Sequence, residues 1–495
     1  MLLNMKRFTV IISLFSFLLL QACDEDFLDV HPVDAISDEE AFETLDDFHT
    51  GLNGVYASMR TVSYWGKNMV MNFDVAVDDA YAVQGFSNQY GAQYAWTLQA
   101  GATDVGNLWL SAYRVITRSS NLINQFDQLS EGSEWEREQI LGEARLLRAM
   151  GHFDLVRVFA SPYQLSDPSS EPGIPVVEQE NLEEKSRNTI GEVYDFILDE
   201  AHEARDLITR NRHRRYLGVD AVHAFLARVY HEKGNWQKAA RFADKVIDAR
   251  ELSAGEEYKS IWREDGGTSY GSDEVIFILS FHSSEASSEL AIGSNFVGSN
   301  PPLPPQLDWR VDYLPAIALL DLYDKEKDVR FDAFFKEGVS IPPIDREVTV
   351  LVKYHHDNPH FSQRGMNQMK VFRVSEAYLV RMEAMAHLGD EEQANKDLAA
   401  LRAARIENYS HTALSGDALM QAIFDERRKE LAFEGMRWFD LKRRGEGFRR
   451  RPQPGTGPFN NLRVESDSYR WVWPIPQGEI DANRLIGQNP GYVSR

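Results

Sequence analysis

The sequence predicts a mainly α-helical protein, in which helix pairs with tetratricopeptide-like (TPR-like) spacing form a scaffold and long irregular loop insertions form a ligand-binding face. Helix-capping signals, apolar residues at three- and four-residue steps and two TPR-like segments support this fold class. Of the 495 residues, 43% are hydrophobic, which is enough to build a large buried core. A strand is predicted at residues 273–281, DEVIFILSF.

Residues 1–22 are predicted to be a signal peptide. Lys6 and Arg7 precede an uncharged stretch of 13 residues at 8–20. This stretch is shorter than the ~18 residues that a stable membrane-spanning helix needs. Residues 20–23, LQAC, resemble a lipobox, where bacteria attach lipid to a cysteine, and Cys23 is the single cysteine of the chain. We therefore expect Cys23 to carry a lipid anchor, the alternative being a cysteine that happens to end a cleaved leader.

The helix signals of the mature chain include capping boxes and amphipathic spacing, and Ser37 with Glu40 is the first capping-box pattern. Thr189 and Glu192 form a capping-box pattern before an apolar-periodic segment. Residues 138–160 have the spacing of a long amphipathic helix. Gly151 lies inside this segment and costs about 1 kcal/mol relative to alanine there, so we expect a closely packed neighbouring helix.

Two segments have TPR-like spacing. Residues 221–248 carry small residues where two antiparallel helices must touch, with a turn at Gly234. Residues 375–406 are a looser copy with a turn at Gly389. Two such units are too few for a freestanding solenoid, so we expect them to belong to one helical scaffold with long insertions.

The organisation expected from these signals has three parts. Residues 1–22 are the leader, residues 23–250 contain an aromatic loop and TPR-like helices, and residues 251–495 form the C-terminal part. The last two parts are expected to form one compact unit after cleavage.

The charge of the chain excludes one class of partner. There are 76 acidic against 53 basic side chains, a formal net charge of −23. Such a surface repels phosphate backbones, so nucleic acid is not an expected partner.

Residues 61–113 combine aromatic rings with amides and glycines, and residues 280–313 form a second irregular stretch that could face them. Rings can stack on the C–H face of a sugar, while amides and carboxylates hold its hydroxyls. The alternative for each ring is that it packs the loop onto the scaffold. The candidate stacking residues are Trp65, Tyr81, Tyr90, Trp96 and Trp309, with Asp79, Asn88 and Gln93 as hydroxyl partners.

A charged stretch at residues 423–445 has the composition of a functional site. If it forms one helix, Arg427, Glu430, Glu434 and Arg437 share its apolar face. The guanidiniums favour ionised carboxylates, which removes the proton donor that a glycosidase pair requires. We therefore predict a structural ion-pair network, and the sequence offers no convincing metal-binding or cofactor-binding pattern.

Several blocks of the chain resemble the SusD/RagB family. They include EARLLRAMGHFDLVRVFA, Asp328 and Arg330 within YDKEKDVRFD, FRVSEAYLVRMEAMAHLGD, ERRKELAFEGMRWFDLKRRG and WPIPQGEIDANRLIGQNPGY, in family order over nearly the whole mature chain. The resemblance implies a TPR-like lipoprotein of the outer-membrane surface that captures glycans without catalysis and delivers them to a SusC-like TonB-dependent transporter. The resemblance does not identify ligand-binding residues in this chain, because the binding loops differ between members of the family. The second interpretation is a peptide-capturing RagB-like protein. The third is an exported glycoside hydrolase.

Overall fold

The computed structural model describes residues 42–179, 184–263, 272–285, 287, 289–297, 311–341, 344–354 and 366–493. The predicted signal peptide, the expected lipidation site Cys23, the capping-box pattern at Ser37 and the candidate stacking residue Trp309 lie outside the described residues. Within the described part, helices dominate and strands are short, as the sequence predicts.

The N-terminal part is built from helices whose starts are capped. Thr44 and Ser133 form capping boxes, and so does Thr189 with Glu192, as predicted. These helices are α1 Leu45–Met59, α2 Asn68–Asp74, α3 Gly91–Ala95, α4 Thr103–Asn124, α5 Glu134–Phe159 and α6 Ile190–Leu207.

Gly151 marks a close contact between two of these helices. A Cβ atom added there would lie 2.7 Å from Cγ1 of Ile116 in α4. The predicted reason for this glycine, a closely packed neighbouring helix, is confirmed, since α4 packs along α5.

Both TPR-like pairs form as predicted. The first is α7 Val219–Glu232 with α8 Trp236–Ala249, after which comes α9 Gly255–Arg263. In the second pair, described below, the first helix packs directly against α8. The two units are thus adjacent in space although an insertion of more than one hundred residues separates them in the chain.

The insertion contains most of the strands, which form two-stranded antiparallel sheets. Strand β1 pairs with β3, β2 with β6, and β4 with β5. The predicted strand at 273–281 is β2. The bounds are β1 Ala80–Ala82, β2 Val275–Leu279, β3 Tyr313–Pro315, β4 Phe335–Ile341, β5 Ile344–Leu351 and β6 Met369–Arg373, with the short helices α10 Ser294–Val297, α11 Ile317–Leu320 and α12 Val329–Phe334 between them.

Helices return after β6. The second TPR-like pair turns at Gly389, which has a φ of +83° that suits glycine. The remaining elements are α13 Val374–Leu388, α14 Glu391–Arg405, α15 Gly416–Glu430, α16 Arg437–Arg444, the paired strands β7 Phe448–Arg449 and β8 Arg463–Val464, and α17 Gln477–Ala482.

Ion pairs and a stacked ring pair join the two TPR-like units. Arg228 of α7 binds Glu376 of α13, and the Trp236 and His387 rings stack with centroids 4.1 Å apart. Arg228 and Glu376 are buried, which excludes water from their ion pair and strengthens it, whereas the Trp236 ring is half-buried and His387 is exposed. The scaffold is therefore continuous across the insertion.

One expectation about the charged stretch is wrong: residues 423–445 do not form one helix. Helix α15 ends at Glu430, and Phe433 and Gly435 have φ values of +60° and +77°. A Cβ at Gly435 would lie 2.5 Å from the carbonyl oxygen of Met69. The close approach of α2 therefore requires glycine and interrupts the helix before α16.

Candidate functional site

Residues from the two stretches at 61–113 and 280–313 meet at one face of the molecule. Strand β1 pairs with β3, with Ala82 opposite Tyr313 and Ala80 opposite Pro315. This pairing brings the loop at residues 84–89 beside residues 295 and 312. We call residues 84–89 with Asn295 and Asp312 the two-loop face.

Hydrogen bonds fix the two-loop face. Asp312 accepts from the Ser87 backbone N–H at 2.6 Å and from the Ser87 hydroxyl at 2.7 Å. The amide of Asn295 donates to the Gln89 side chain, and the Tyr313 hydroxyl donates to the Gln89 carbonyl. The loop is thus held from below by residues more than 200 positions away in the chain.

Below this loop lies an apolar base. The rings of Phe86, Tyr94 and Tyr313 pack with centroids 5.7 to 6.3 Å apart. Strands β4 and β5 add a small second cluster through Val339 and Val350. A rigid base of this kind positions the exposed polar side chains above it.

Three predicted stacking residues are core residues, which corrects their interpretation as an exposed platform. Trp65, Tyr90 and Trp96 are only 5 to 7% exposed. The Trp65 indole N–H donates to Asp154 at 2.7 Å, the Tyr90 hydroxyl to Asn68 and the Trp96 indole N–H to the Ala76 carbonyl. Their polar atoms already have partners and their faces are covered, so these rings pack the loops onto the scaffold.

Tyr81, Asp79 and Gln93 are buried as well, which corrects their assignment as accessible partners for a sugar. Tyr81 belongs to the small cluster under the face. Asp79 accepts from Arg428 at 2.6 Å, and Gln93 donates to Asp104 at 2.7 Å. Asp79 and Gln93 thus each make an internal hydrogen bond, and all three side chains are covered by the protein.

Asn88 is exposed on the two-loop face, unlike the other described candidates. Its φ of +66° is tolerated by asparagine better than by most residues, and its amide makes no side-chain hydrogen bond to the described residues. Gln84 and Gln89 are exposed beside it. The face therefore presents amide and hydroxyl groups to solvent.

Asp312 and Asn295 are site residues that the sequence reasoning did not single out. Asn295 is 2% exposed and its Oδ1 is buried without a hydrogen-bond partner among the described residues. A signal was present, because Asp312 directly precedes the strand that pairs with β1. The place of Asp312 in the site follows only from the pairing of β1 with β3, which is a tertiary contact.

The four residues of the charged stretch each form an ion pair, though with other elements rather than with one another. Arg427 pairs with Asp440 at 2.8 Å, and Arg437 with Asp78 at 3.2 Å. Glu434 pairs with Lys353 at 2.8 Å. These contacts join α15 and α16 to the N-terminal part and to the insertion.

Glu430 is the centre of this network. Its carboxylate forms ion pairs with Arg373 at 2.8 Å, Arg405 at 3.0 Å and Arg330 at 3.1 Å. All four side chains are buried. Burial alone raises its pKa, but the three guanidiniums hold the pKa of Glu430 well below its usual range. A carboxylate that stays ionised cannot donate a proton, so Glu430 is not a general acid.

The described residues contain no cluster of three histidine, cysteine, aspartate or glutamate side chains suited to a metal ion. Across the same residues, every helix is too short or too polar to cross a bilayer.

The helical scaffold and its loop face define a TPR-like protein with an open polar surface. The family model described as "SusD family" matches residues 346–492. The family model described as "Starch-binding associating with outer membrane" matches residues 26–231. The chain belongs to the SusD/RagB family.

Relatives match over most of their length. SusD-like protein P2 of Formosa agariphila is 26% identical, with 94% of this chain and 96% of the relative covered. A SusD superfamily protein from Bacteroides thetaiotaomicron is 28% identical with a TM-score of 0.78, covering 90% of this chain and 100% of that one. A putative sugar binding protein from Bacteroides vulgatus is 25% identical with a TM-score of 0.76, covering 92% and 100%.

Proposed function

We propose that this protein is a lipid-anchored, outer-membrane surface protein that binds oligosaccharides or polysaccharides and delivers them to a SusC-like TonB-dependent transporter. The observation that carries the proposal is the two-loop face, where exposed amides stand on a rigid aromatic base. Amides supply both donors and acceptors, which matches the hydroxyls of a sugar. Membership of a family with a starch-binding model supports the same ligand class.

The proposed contacts are Asn88, Gln84 and Gln89, with Trp309 as a stacking ring. Trp309 belongs to the segment between residues 297 and 311, and both of those residues adjoin the two-loop face in the chain. An indole there would add apolar contact to hydrogen-bonding groups, the usual combination in sugar sites. An open site recovers less apolar area than a deep pocket, so modest affinity and easy release are expected.

The membrane association proposed here rests on Cys23. Several acyl chains on one cysteine would hold the acidic body at the membrane surface, because each buried CH₂ contributes about 0.8 kcal/mol. Mass spectrometry of protein from outer-membrane fractions tests this: a diacylglyceryl group on Cys23 is expected, and Cys23→Ala should release the chain from the membrane.

Binding without cleavage is the proposed chemistry. Glu430 is held in its ionised form, and Asp78 and Asp79 are paired with Arg428 and Arg437. Incubation of the acyl-free chain, residues 24–495, with a polysaccharide panel should give retention in affinity electrophoresis and no new reducing ends. Release of reducing sugar would favour the glycoside hydrolase alternative instead.

The site assignment has its own test. The double variant Asn88→Gly with Trp309→Ala should lose retention of the polysaccharide that the parent chain retains, with an unchanged melting temperature. Unchanged retention would reject the two-loop face as the binding site. Binding of a tryptic peptide mixture and of no glycan would favour the RagB-like alternative.

A further inference from the structure

A second concave site lies on the described surface, apart from the two-loop face. It is a cavity of about 470 Å³ between the end of α1, residues 215–216 and the segment that follows β2. Its size is in the range that holds a small ligand or part of a larger one. Side chains lining it include Arg60, Arg215, Tyr216, Phe281, His282 and Glu285.

Positive charge collects beside this cavity, although the whole chain is strongly acidic. Residues 210–215, RNRHRR, contain four arginines within six positions. Three of them are engaged: Arg210 lies over the Trp135 ring, Arg212 pairs with Glu143 at 3.0 Å, and Arg214 donates to the Ser272 carbonyl.

Arg215 differs from these neighbours. It is exposed, lines the cavity and makes no ion pair with the described residues. Its Nε lies 3.3 Å from Nδ1 of His213, and burial lowers the pKa of that histidine, so the imidazole is a neutral partner at pH 7. Among the described residues, the guanidinium of Arg215 therefore has no counter-charge.

Arg60 on the opposite wall is already balanced. It pairs with Glu285 at 2.8 Å and donates to the Ser280 carbonyl at 2.7 Å. The lining thus contains two guanidiniums against one carboxylate, an excess of one positive charge before the histidine is counted. A planar guanidinium can bind a carboxylate or a sulfate through two parallel hydrogen bonds.

The other wall groups fit a sugar. The Tyr216 ring is half-buried, and Asn53 and Ser284 add an amide and a hydroxyl. We propose that this cavity binds an acidic sugar unit, with its carboxylate or sulfate group on Arg215 and its ring beside Tyr216. The inference rests on the proposed glycan binding and specifies the charge class of the glycan.

The test uses the acyl-free chain, residues 24–495, and two pairs of probes in titration calorimetry. Tetragalacturonate is compared with its methyl ester, and a κ-carrageenan tetrasaccharide with its desulfated form. The acidic member of at least one pair should bind about tenfold more tightly than its neutral form, since a charge-assisted hydrogen bond is lost in the latter. The pair that shows the difference identifies carboxylate or sulfate as the recognised group.

Variants assign the effect to Arg215. Arg215→Gln should weaken binding of the acidic probe about tenfold and leave the neutral form unaffected. Arg215→Lys should recover part of the affinity, because it keeps the charge and loses the planar fork. Arg484→Gln is the matched control: it removes an arginine whose side chain is 86% exposed, outside the cavity lining, and should change nothing.

The failures of the two proposals are distinguishable. Equal binding of acidic and neutral probes, or unchanged affinity in Arg215→Gln, would overturn this inference. If only neutral polysaccharides of the panel bind, the glycan-binding proposal stands and the acidic-sugar inference falls. If no glycan binds, both fall.

Discussion

Polar groups have opposite environments in two regions of the molecule. One region is the joint between the two TPR-like units, and the other is the two-loop face. At the joint, charged side chains lie inside and have partners: Arg228 pairs with Glu376 across the joint, and Glu383 of α13 pairs with Arg443 of α16 at 2.6 Å. On the face, Gln84 and Asn88 point to solvent. Buried charges without partners are costly, whereas exposed amides keep their hydration until a ligand replaces it.

This difference separates stability from recognition. Changes at the joint and in the ion-pair network leave buried charges without partners and should destabilise the protein. Changes at Gln84 and Asn88 on the face remove exposed amides that no described side chain binds, and should affect ligand binding alone. Four substitutions or conditions test this separation.

The largest expected effect is at Glu430. Glu430→Gln leaves the guanidiniums of Arg330, Arg373 and Arg405 without their shared carboxylate, so the free energy of unfolding should fall by about 3–5 kcal/mol. Chemical denaturation measures the loss. Glu434→Ala should cost less, since Glu434 keeps 10% side-chain exposure.

Glu392→Gln is the matched control for Glu430. Its exposed carboxylate pairs with Lys396 at 2.7 Å, and the expected change is below about 0.5 kcal/mol. An equal loss in the free energy of unfolding of both variants would show that the buried ion pairs of Glu430 stabilise the protein no more than an exposed ion pair does. Polysaccharide retention by the folded fraction of Glu430→Gln should match that of the parent chain.

The next largest loss of stability is expected at Trp65. This prediction tests the corrected assignment of the aromatic residues as core residues. Trp65→Phe keeps an apolar ring and removes the indole N–H that donates to Asp154, so we expect a loss of about 2 kcal/mol in stability. Retention of polysaccharide by the folded protein should be unchanged. If Trp65→Phe loses polysaccharide retention and keeps full stability, Trp65 would have to be assigned to the ligand-binding surface.

The TPR-like pairs were predictable because their signal is local. Small residues at fixed steps and a glycine at each turn are read within one segment, and the structure has both pairs with turns at Gly234 and Gly389. The same holds for the capping box at Thr189. Such patterns need no knowledge of distant contacts.

The break within residues 423–445 and the burial of Trp65 were not predictable in this way. The break follows from the approach of the Met69 carbonyl to Gly435, and Trp65 finds its acceptor 89 residues away in Asp154. The expectation that residues 61–113 are irregular is wrong for much of this stretch, because α2, α3 and the first half of α4 lie within it. Composition could not tell which rings would turn inward, because that depends on tertiary contacts.

A pH dependence should follow from His152 in α5. Its Nδ1 lies 2.9 Å from the Arg148 carbonyl and its Nε2 accepts from the Val177 N–H at 3.2 Å. Burial lowers its pKa from 6.5 to about 3. Between these values the unfolded chain binds a proton that the folded chain does not, so stability should fall as pH decreases from 6.5 towards 3.

The slope attributable to His152 is at most about 1.4 kcal/mol per pH unit. Denaturation at pH 4.5, 5.5 and 6.5 measures it, and His152→Gln should reduce the slope by that amount because glutamine does not titrate. Parallel slopes in the two proteins would contradict a neutral, buried His152.

At Asn88 we expect a small change in stability together with a loss of binding. Asn88→Gly removes the amide and keeps the positive φ, so the free energy of unfolding should change by less than about 1 kcal/mol. Affinity for the retained polysaccharide should fall about fivefold, as for one lost hydrogen bond. Asn408→Gly is the control, because Asn408 is also exposed, has a φ of +54° and lies outside the two-loop face. Equal affinity losses in the two variants would mean that backbone freedom, and not the Asn88 amide, controls binding at the face.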